Sequence, residues 1–225
     1  MRPRDRLLKL GAGALKNDEL LAIFLRNGTK TRNAIELAGD ILRKTGGIRN
    51  LLLSNINDLS SIKGIGPAKW AQLQGVYELV KRALEEELTK RSVIQSPSAL
   101  REYLQTAIGH LNHEVFSCLY LDSSYQLIQT DQLFRGTQTH TYVYPKEIAK
   151  EALRRSACAV IVAHNHPSGN PRPSQADIEL TERLIAALGL IDIDLLDHCI
   201  LTKNDFFSFS NDPILSARLK FASGY

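Results

Sequence analysis

The chain has no apolar run approaching the roughly 20 residues needed to cross a bilayer. Met1-Arg2-Pro3-Arg4-Asp5-Arg6 leads into no apolar block ending in small residues, as a secretory signal would. A cytoplasmic protein without a membrane partner is the expectation. Cysteine is scarce: Cys118, Cys158 and Cys199 are odd in number, far apart and free of C-x-x-C spacing. They support neither a disulfide framework nor a thiolate zinc finger, and all three read as buried small hydrophobes. The absence of H-E-x-x-H excludes a thermolysin-like zincin. The absence of H-x-E with P-C-x-x-C argues against a zinc deaminase. Internal repeats and low-complexity tracts are missing as well.

What is there is ordinary in bulk and uneven in charge. At 225 residues and 44% hydrophobic content the chain can bury one large core or two small ones. Residues 1 to 91 carry 17 Lys and Arg against 10 Asp and Glu, a net +7, so the remainder is −3 within the overall +4. The basic part is the one to test for contact with nucleic acid; the alternative is a solvated face that keeps a helical domain soluble.

The first 90 residues read as short helices with Gly and Asn punctuation, over Asp18 to Leu25, Arg32 to Thr45, near Leu51, and Ala68 to Leu88. Between the last two, Leu59-Ser60-Ser61-Ile62-Lys63-Gly64-Ile65-Gly66-Pro67-Ala68-Lys69 resembles a helix-hairpin-helix turn. Such a turn offers backbone N–H groups to a phosphate, with Gly64 and Gly66 permitting close approach and Lys63 and Lys69 adding charge. The alternative is a tight interhelical turn that only packs.

The polar stretch 85–98, with three glutamates and Pro97, reads as a boundary between a helical domain (1–91) and a second domain (98–225). Beyond it the pattern predicts a helix from Pro97 to Ile108, a hairpin of Glu114 to Leu121 with Gln126 to Phe134, and a helix from Pro145 to about Arg155. A strand over 157–163 and a helix capped by Ser174 follow, then two strands around Ile191 to Leu196 and His198 to Leu201. Alternation of strands and helices makes an α/β sandwich.

The segment His164-Asn165-His166-Pro167-Ser168-Gly169-Asn170-Pro171-Arg172-Pro173-Ser174-Gln175-Ala176-Asp177 carries the chemistry. It follows an apolar, β-branched run, so His164 and His166 stand at i and i+2 of a strand end and face the same side. Ser174 opens a helix whose apolar pattern is Ile178, Leu180, Leu184, Ile185 and Leu188, which puts Asp177 in its first turn. Two imidazoles and a carboxylate aimed at one point suit a single Zn2+ ion, with a fourth position left for water as in a catalytic site. Taken singly, Ser174 with Asp177 is a capping pair and His166 a loop histidine. Together they have little structural purpose without a metal.

The His-x-His, seven residues, Ser-x-x-Asp pattern resembles the JAMM, or MPN-plus, metalloprotease signature. Gly64-Ile65-Gly66, Leu196-Asp197-His198, Arg2-Pro3-Arg4, Glu19-Leu20-Leu21 and Leu133-Phe134-Arg135-Gly136-Thr137 extend a resemblance to the bacterial RadC family over nearly the whole chain. The resemblance implies a mixed-sheet α-β-α MPN (JAB1/cytidine-deaminase-like) domain behind a small all-α helix-hairpin-helix-like domain. It implies that His164, His166 and Asp177 hold zinc and that Ser174 hydrogen-bonds the oxygen of a tetrahedral intermediate. Glu114, at the start of its strand, matches the general base. Asp197 and His198, at another strand end, suit hydrogen bonds to a zinc ligand, with a satisfied core histidine as the alternative. His110, His113 and His140 match no ligand spacing.

Three functions remain open on these grounds. The first is a zinc hydrolase of peptide or isopeptide bonds in a protein substrate. The second is a DNA-processing or repair factor, the label the RadC resemblance carries, whose helical domain docks on phosphates. A single metal with one acidic ligand weakens the nuclease version, since many nucleases use paired metals. The third is a binding module that seldom turns over. Oligomeric state leaves no mark in the sequence.

Overall fold

The computed structural model describes residues 1–59, 62–135 and 143–219. Ser60, Ser61, Gly136, Thr137 and His140 lie outside the described residues. The chain divides into two compact units, Met1–Val80 and Lys81–Tyr225.

The first unit holds helices α1 (Pro3–Leu10), α2 (Asn17–Leu25), α3 (Ala34–Thr45), α4 (Ile48–Leu53), α5 (Ile56–Leu59) and the start of α6 (Pro67–Lys90). Asn33 starts α3 by accepting the N–H groups of Ile35 and Glu36 at 3.0 Å, while Glu36 returns a carboxylate oxygen to Asn33 N at 2.9 Å. That capping box satisfies amides that the first turn leaves open. The apolar stripe it directs inward, Leu37, Ala38 and Ile41, packs with Leu21, Leu25, Leu51, Leu59, Ile62 and Leu73. Helix α6 is tied down by Trp70 Nε1 on Ser54 O and Gln74 Nε2 on Leu52 O.

The second unit opens within α6. The stretch 85–90, polar in sequence, is helical, because Leu84 and Leu88 turn an apolar face into a core below. Then come α7 (Pro97–Ala107), β1 (Val115–Leu121), β2 (Leu127–Arg135), α8 (Pro145–Arg154), β3 (Ala159–Asn165), α9 (Gln175–Gly189), β4 (Asp194–Leu201), β5 (Phe206–Ser208) and α10 (Ser216–Leu219). The sheet runs β2-β1-β3-β4-β5, antiparallel except for the parallel pair β3–β4.

One face, with Phe116, Tyr120, Val160, Val162 and Ile200, packs on α8 and α9; the other, with Leu119, Ile161, Ala163 and Cys199, packs on α7. The unit is therefore a mixed-sheet α-β-α sandwich. Cover on both faces is why β1 and β3 are buried at every position and read as continuous apolar runs.

Two expectations are corrected. The strands expected around 191–196 and 198–201 are one strand, β4, with β5 as its antiparallel neighbour. Asp197, which invites a break, is accommodated inside β4 because Ser208 and Ser210 supply donors to its carboxylate. Cys118 and Cys199 are buried, but Cys158 is exposed. Its backbone bridges Leu121 and Asp194 at the head of β3, while strand alternation turns its side chain outward between buried Ala157 and Ala159.

Candidate metal centre

Strand β3 delivers His164 to the end of the sheet with a side chain 1% exposed. Its ring stacks on Phe116, the residue directly across in β1, at 6.0 Å between centroids. His166 follows β3, and its N–H continues the ladder by donating to Leu201 O at 2.7 Å. The next residues fold back through Gly169, whose φ of +86° suits a residue without Cβ. That turn brings Asn170 O within 2.8 Å of His166 Nδ1. A carbonyl can only accept, so His166 carries its proton on Nδ1 and, when neutral, a bare lone pair on Nε2.

Asp177 sits in the first turn of α9, as the Ser174 cap predicts. Its Oδ2 receives Ser174 N at 2.7 Å and the Ser174 hydroxyl at 2.6 Å, and Ser174 Oγ accepts Asp177 N at 3.2 Å. Oδ1 lies 3.1 Å from His164 Nε2, and Oδ2 lies 3.5 Å from His166 Nε2. The two Nε2 atoms are 2.9 Å apart. One ligand atom from each of His164, His166 and Asp177 falls within 4.8 Å of the others. Nitrogen and carboxylate donors converging this closely fit a small divalent cation.

The electrostatics agree with the crowding. Hydrogen bonding to Asp177 raises the pKa of His166 against the opposing effect of burial, with the Asn170 carbonyl and the charges of Asp177 and Glu114 adding to the rise. Burial pushes Asp177 upward, yet hydrogen bonds from His164, His166 and Ser174 hold its carboxyl well below the usual range.

Glu114 stands just before β1 and is half-buried. The β1–β3 register pairs Phe116 with His164, so two residues outward along each strand Glu114 and His166 leave the sheet at the same edge. Glu114 makes no hydrogen bond or ion pair among the described residues, which leaves its carboxylate free. Asn165, buried beside the two histidines, fixes the approach to Glu114. Its Oδ1 accepts Val115 N at 2.8 Å, and its Nδ2 donates to Leu111 O and His113 O at 3.0 Å each. Only a buried Asn between two ligands hinted at this role in the sequence.

Residues 94–214 match the RadC-like JAB domain family, and residues 1–71 match the UPF0758 N-terminal family. The chain belongs to the RadC family. Relatives named UPF0758 protein run nearly its full length. The one from Leptothrix cholodnii is 48% identical over 96% of this chain and 97% of its own. The one from Janthinobacterium sp. (strain Marseille) is 49% identical over 93% of each, and that from Ralstonia pickettii 45% identical over 92% and 93%. A RadC-like JAB domain accords with the mixed sheet and with a JAMM-type metal-dependent fold.

One expectation for this site changes. Among the described residues, the Asp197 carboxylate is taken up by the N–H groups of His198 and Ser210, the hydroxyls of Ser208 and Ser210, and the Cys199 thiol. It therefore holds the β4–β5 end together and touches neither the His164 nor the His166 ring. The contact to His164 is made by His198, whose Nε2 is 2.9 Å from His164 Nδ1, while its Nδ1 is 2.7 Å from Thr181 Oγ1. Burial lowers the His198 pKa well below its ordinary value, and the charges of His164 and His166 lower it further.

In the first unit Lys63 is exposed on the Gly64 turn, whereas the Lys69 ammonium donates to Gly64 O at 2.9 Å and Asn27 O at 3.2 Å. Lys69 thus closes the turn and is not a free cation. Gly64 has a φ of +105°, and a Cβ there would lie 2.8 Å from Leu37 Cδ2; nothing stands within 4 Å of one at Gly66.

Proposed function

We propose that this chain is a zinc-dependent hydrolase of peptide or isopeptide bonds. The convergence of His164, His166 and Asp177 beside Glu114, whose carboxylate has no hydrogen bond or ion pair among the described residues, carries the reading. His164 Nε2, His166 Nε2 and Asp177 would hold the ion. When bound, zinc supplies a Lewis acid that lowers the pKa of water to about 7.

Glu114 takes the proton from the attacking water and returns it to the leaving amine, a task open to a carboxylate that no hydrogen bond engages among the described residues. Asp177 stays ionised because Ser174 N donates to its Oδ2 and the cation it would hold favours the charged carboxylate. The Ser174 hydroxyl is spent on Asp177 Oδ2 in the resting site, but Ser174 N alone keeps that oxygen at 2.7 Å. The hydroxyl is thereby able to turn its proton toward the oxyanion that develops on the substrate carbonyl.

The test offers wild type and Glu114→Gln a panel of peptide and isopeptide substrates beside single-stranded, branched and duplex DNA. Chelator-sensitive cleavage of the amide substrates by wild type, absent in a Glu114→Gln protein that still holds one zinc, is expected. Turnover retained in Glu114→Gln removes it as base, and cleavage confined to DNA overturns the peptidase reading.

A second reading concerns the first unit. Thr29, Lys30, Thr31, Arg32, Asp40, Lys44, Ile62 and Lys63 line one open groove in which Asp40 is paired with Arg32, leaving a net cationic, hydroxyl-bearing surface suited to DNA phosphates. With Lys69 committed internally and Arg32 paired with Asp40, Lys30, Lys44 and Lys63 are the lining cations available to it. Binding that weakens with salt, and loses salt dependence in Lys30→Ala/Lys44→Ala/Lys63→Ala, supports this reading; equal binding by that variant sinks it.

A further inference from the structure

Behind the ligand pair lies a buried polar chain that hydrolysis does not require and that closes on Asp177. Thr181 is one helical turn after Asp177 in α9, and its Oγ1 lies 2.6 Å from Asp177 O. The carbonyl can only accept, so the single hydroxyl proton of Thr181 points there. A lone pair of the same oxygen then faces His198 Nδ1 at 2.7 Å, and His198 must bring the proton to that contact. As a neutral imidazole protonated on Nδ1, His198 presents a lone pair at Nε2. Across 2.9 Å from it stands His164 Nδ1, which must therefore carry a proton of its own. The remaining nitrogen of His164, Nε2, is left bare whenever the ring is neutral, and it is the one aimed at Asp177 and His166.

The ring that conveys this order has no freedom to reverse it. His198 is fully buried, stacked on Phe209 at 4.9 Å and 15° and met edge-on by Phe116 at 5.9 Å. Its two nitrogens are thus assigned by fixed neighbours, a backbone carbonyl acting through Thr181 on one side and His164 on the other.

We infer that Thr181 and His198 form a hydrogen-bond relay that locks His164 in its Nδ1–H tautomer and so presents the Nε2 lone pair to the metal. Both are positioning residues, and the inference rests on the metal-site reading above. The relay starts from the carbonyl of Asp177, so one ligand residue orders the tautomer of another through side chains that never touch the ion. His166 achieves the same end more simply, through Asn170 O. Outer hydrogen bonds of this kind fix ring orientation and tautomer, and losing one typically costs about 10–100-fold in metal affinity.

The test measures zinc affinity of the full chain by chelator competition in wild type, Thr181→Val, Thr181→Ser and His198→Phe, with ring nitrogen NMR of the zinc-loaded wild type. Thr181→Val keeps shape but removes the acceptor, letting His198 adopt the opposite tautomer; affinity is expected to fall by about tenfold or more. Thr181→Ser, which restores the hydroxyl, is expected to recover most of it. NMR should find His198 protonated on Nδ1 and bare at Nε2. Equal affinity in Thr181→Val, equal losses in Thr181→Val and Thr181→Ser, or a His198 protonated on Nε2 each overturns the relay even if His198→Phe fails to fold. A wild type that binds no zinc overturns the metal reading and the relay with it.

Discussion

Asn165 accepts the backbone N–H of Val115 at 2.8 Å, across the two central strands and next to both histidines of the site. The same carboxamide holds Leu111 O and His113 O, so one side chain sets the path of the loop that ends in Glu114. A rigid strand thus positions a group that would otherwise hang from a loop.

Asn165→Ala removes three hydrogen bonds and leaves the buried Val115 N–H, with the part-buried Leu111 and His113 carbonyls, without this partner. The expected loss is about 2–4 kcal/mol of unfolding free energy. Urea unfolding of the second unit measures it, and a change below about 1 kcal/mol would show that water or the loop itself replaces the carboxamide.

Ser174→Ala tests whether the cap residue also serves chemistry. Loss of the N-cap bond should cost about 1 kcal/mol of stability. Loss of a donor to the oxyanion should lower kcat about 100-fold or more, while Ser174 N keeps Asp177 in place and zinc is retained. A kcat that falls no further than metal occupancy does would reduce Ser174 to a cap.

In the metal-free chain the Asp177–His166 contact should make stability depend on pH from both sides. His166 has a raised pKa in the folded state, so its contribution is complete below the ordinary imidazole value of about 6.5 and disappears as pH rises through the raised one. Asp177 is lowered, so its contribution is present above about 3.9 and disappears on acidification below that. The stability gap between wild type and Asp177→Asn, measured with chelator present, is therefore expected to be larger at pH 5.5 than at pH 8.5. A gap independent of pH contradicts the pairing.

Gly64→Ala and Gly66→Ala separate packing from phosphate contact in the first unit. At Gly64 a methyl meets Leu37 at 2.8 Å with φ at +105°, and the expected cost is about 2–3 kcal/mol. At Gly66 the space is open, and the cost should stay within about 1 kcal/mol. Equal costs at the two positions would refute the steric account of Gly64.

Much of this was legible in the residues themselves. Local rules are short-ranged: Ser174 with Asp177 states a helix start, His164 and His166 at i and i+2 state a common side, and two-sided burial writes itself as the apolar runs of β1 and β3. Each depends on neighbours within a few positions, so the order of residues determines it. Asp197 and His198 show where that reach ends. They are adjacent, polar and buried on one strand, and their sequence does not say which faces the ligands. Pleating sends one carboxylate toward Ser208 and Ser210 and the neighbouring ring toward His164, and only the packing of β5 and α9 against β4 decides it. The tertiary structure likewise brings Thr181 beneath His198, Asn165 against Val115 and Lys69 onto the Gly64 turn. These partners are 5 to 50 positions apart, and their pairing follows from burial, which obliges every enclosed donor and acceptor to find its counterpart in space.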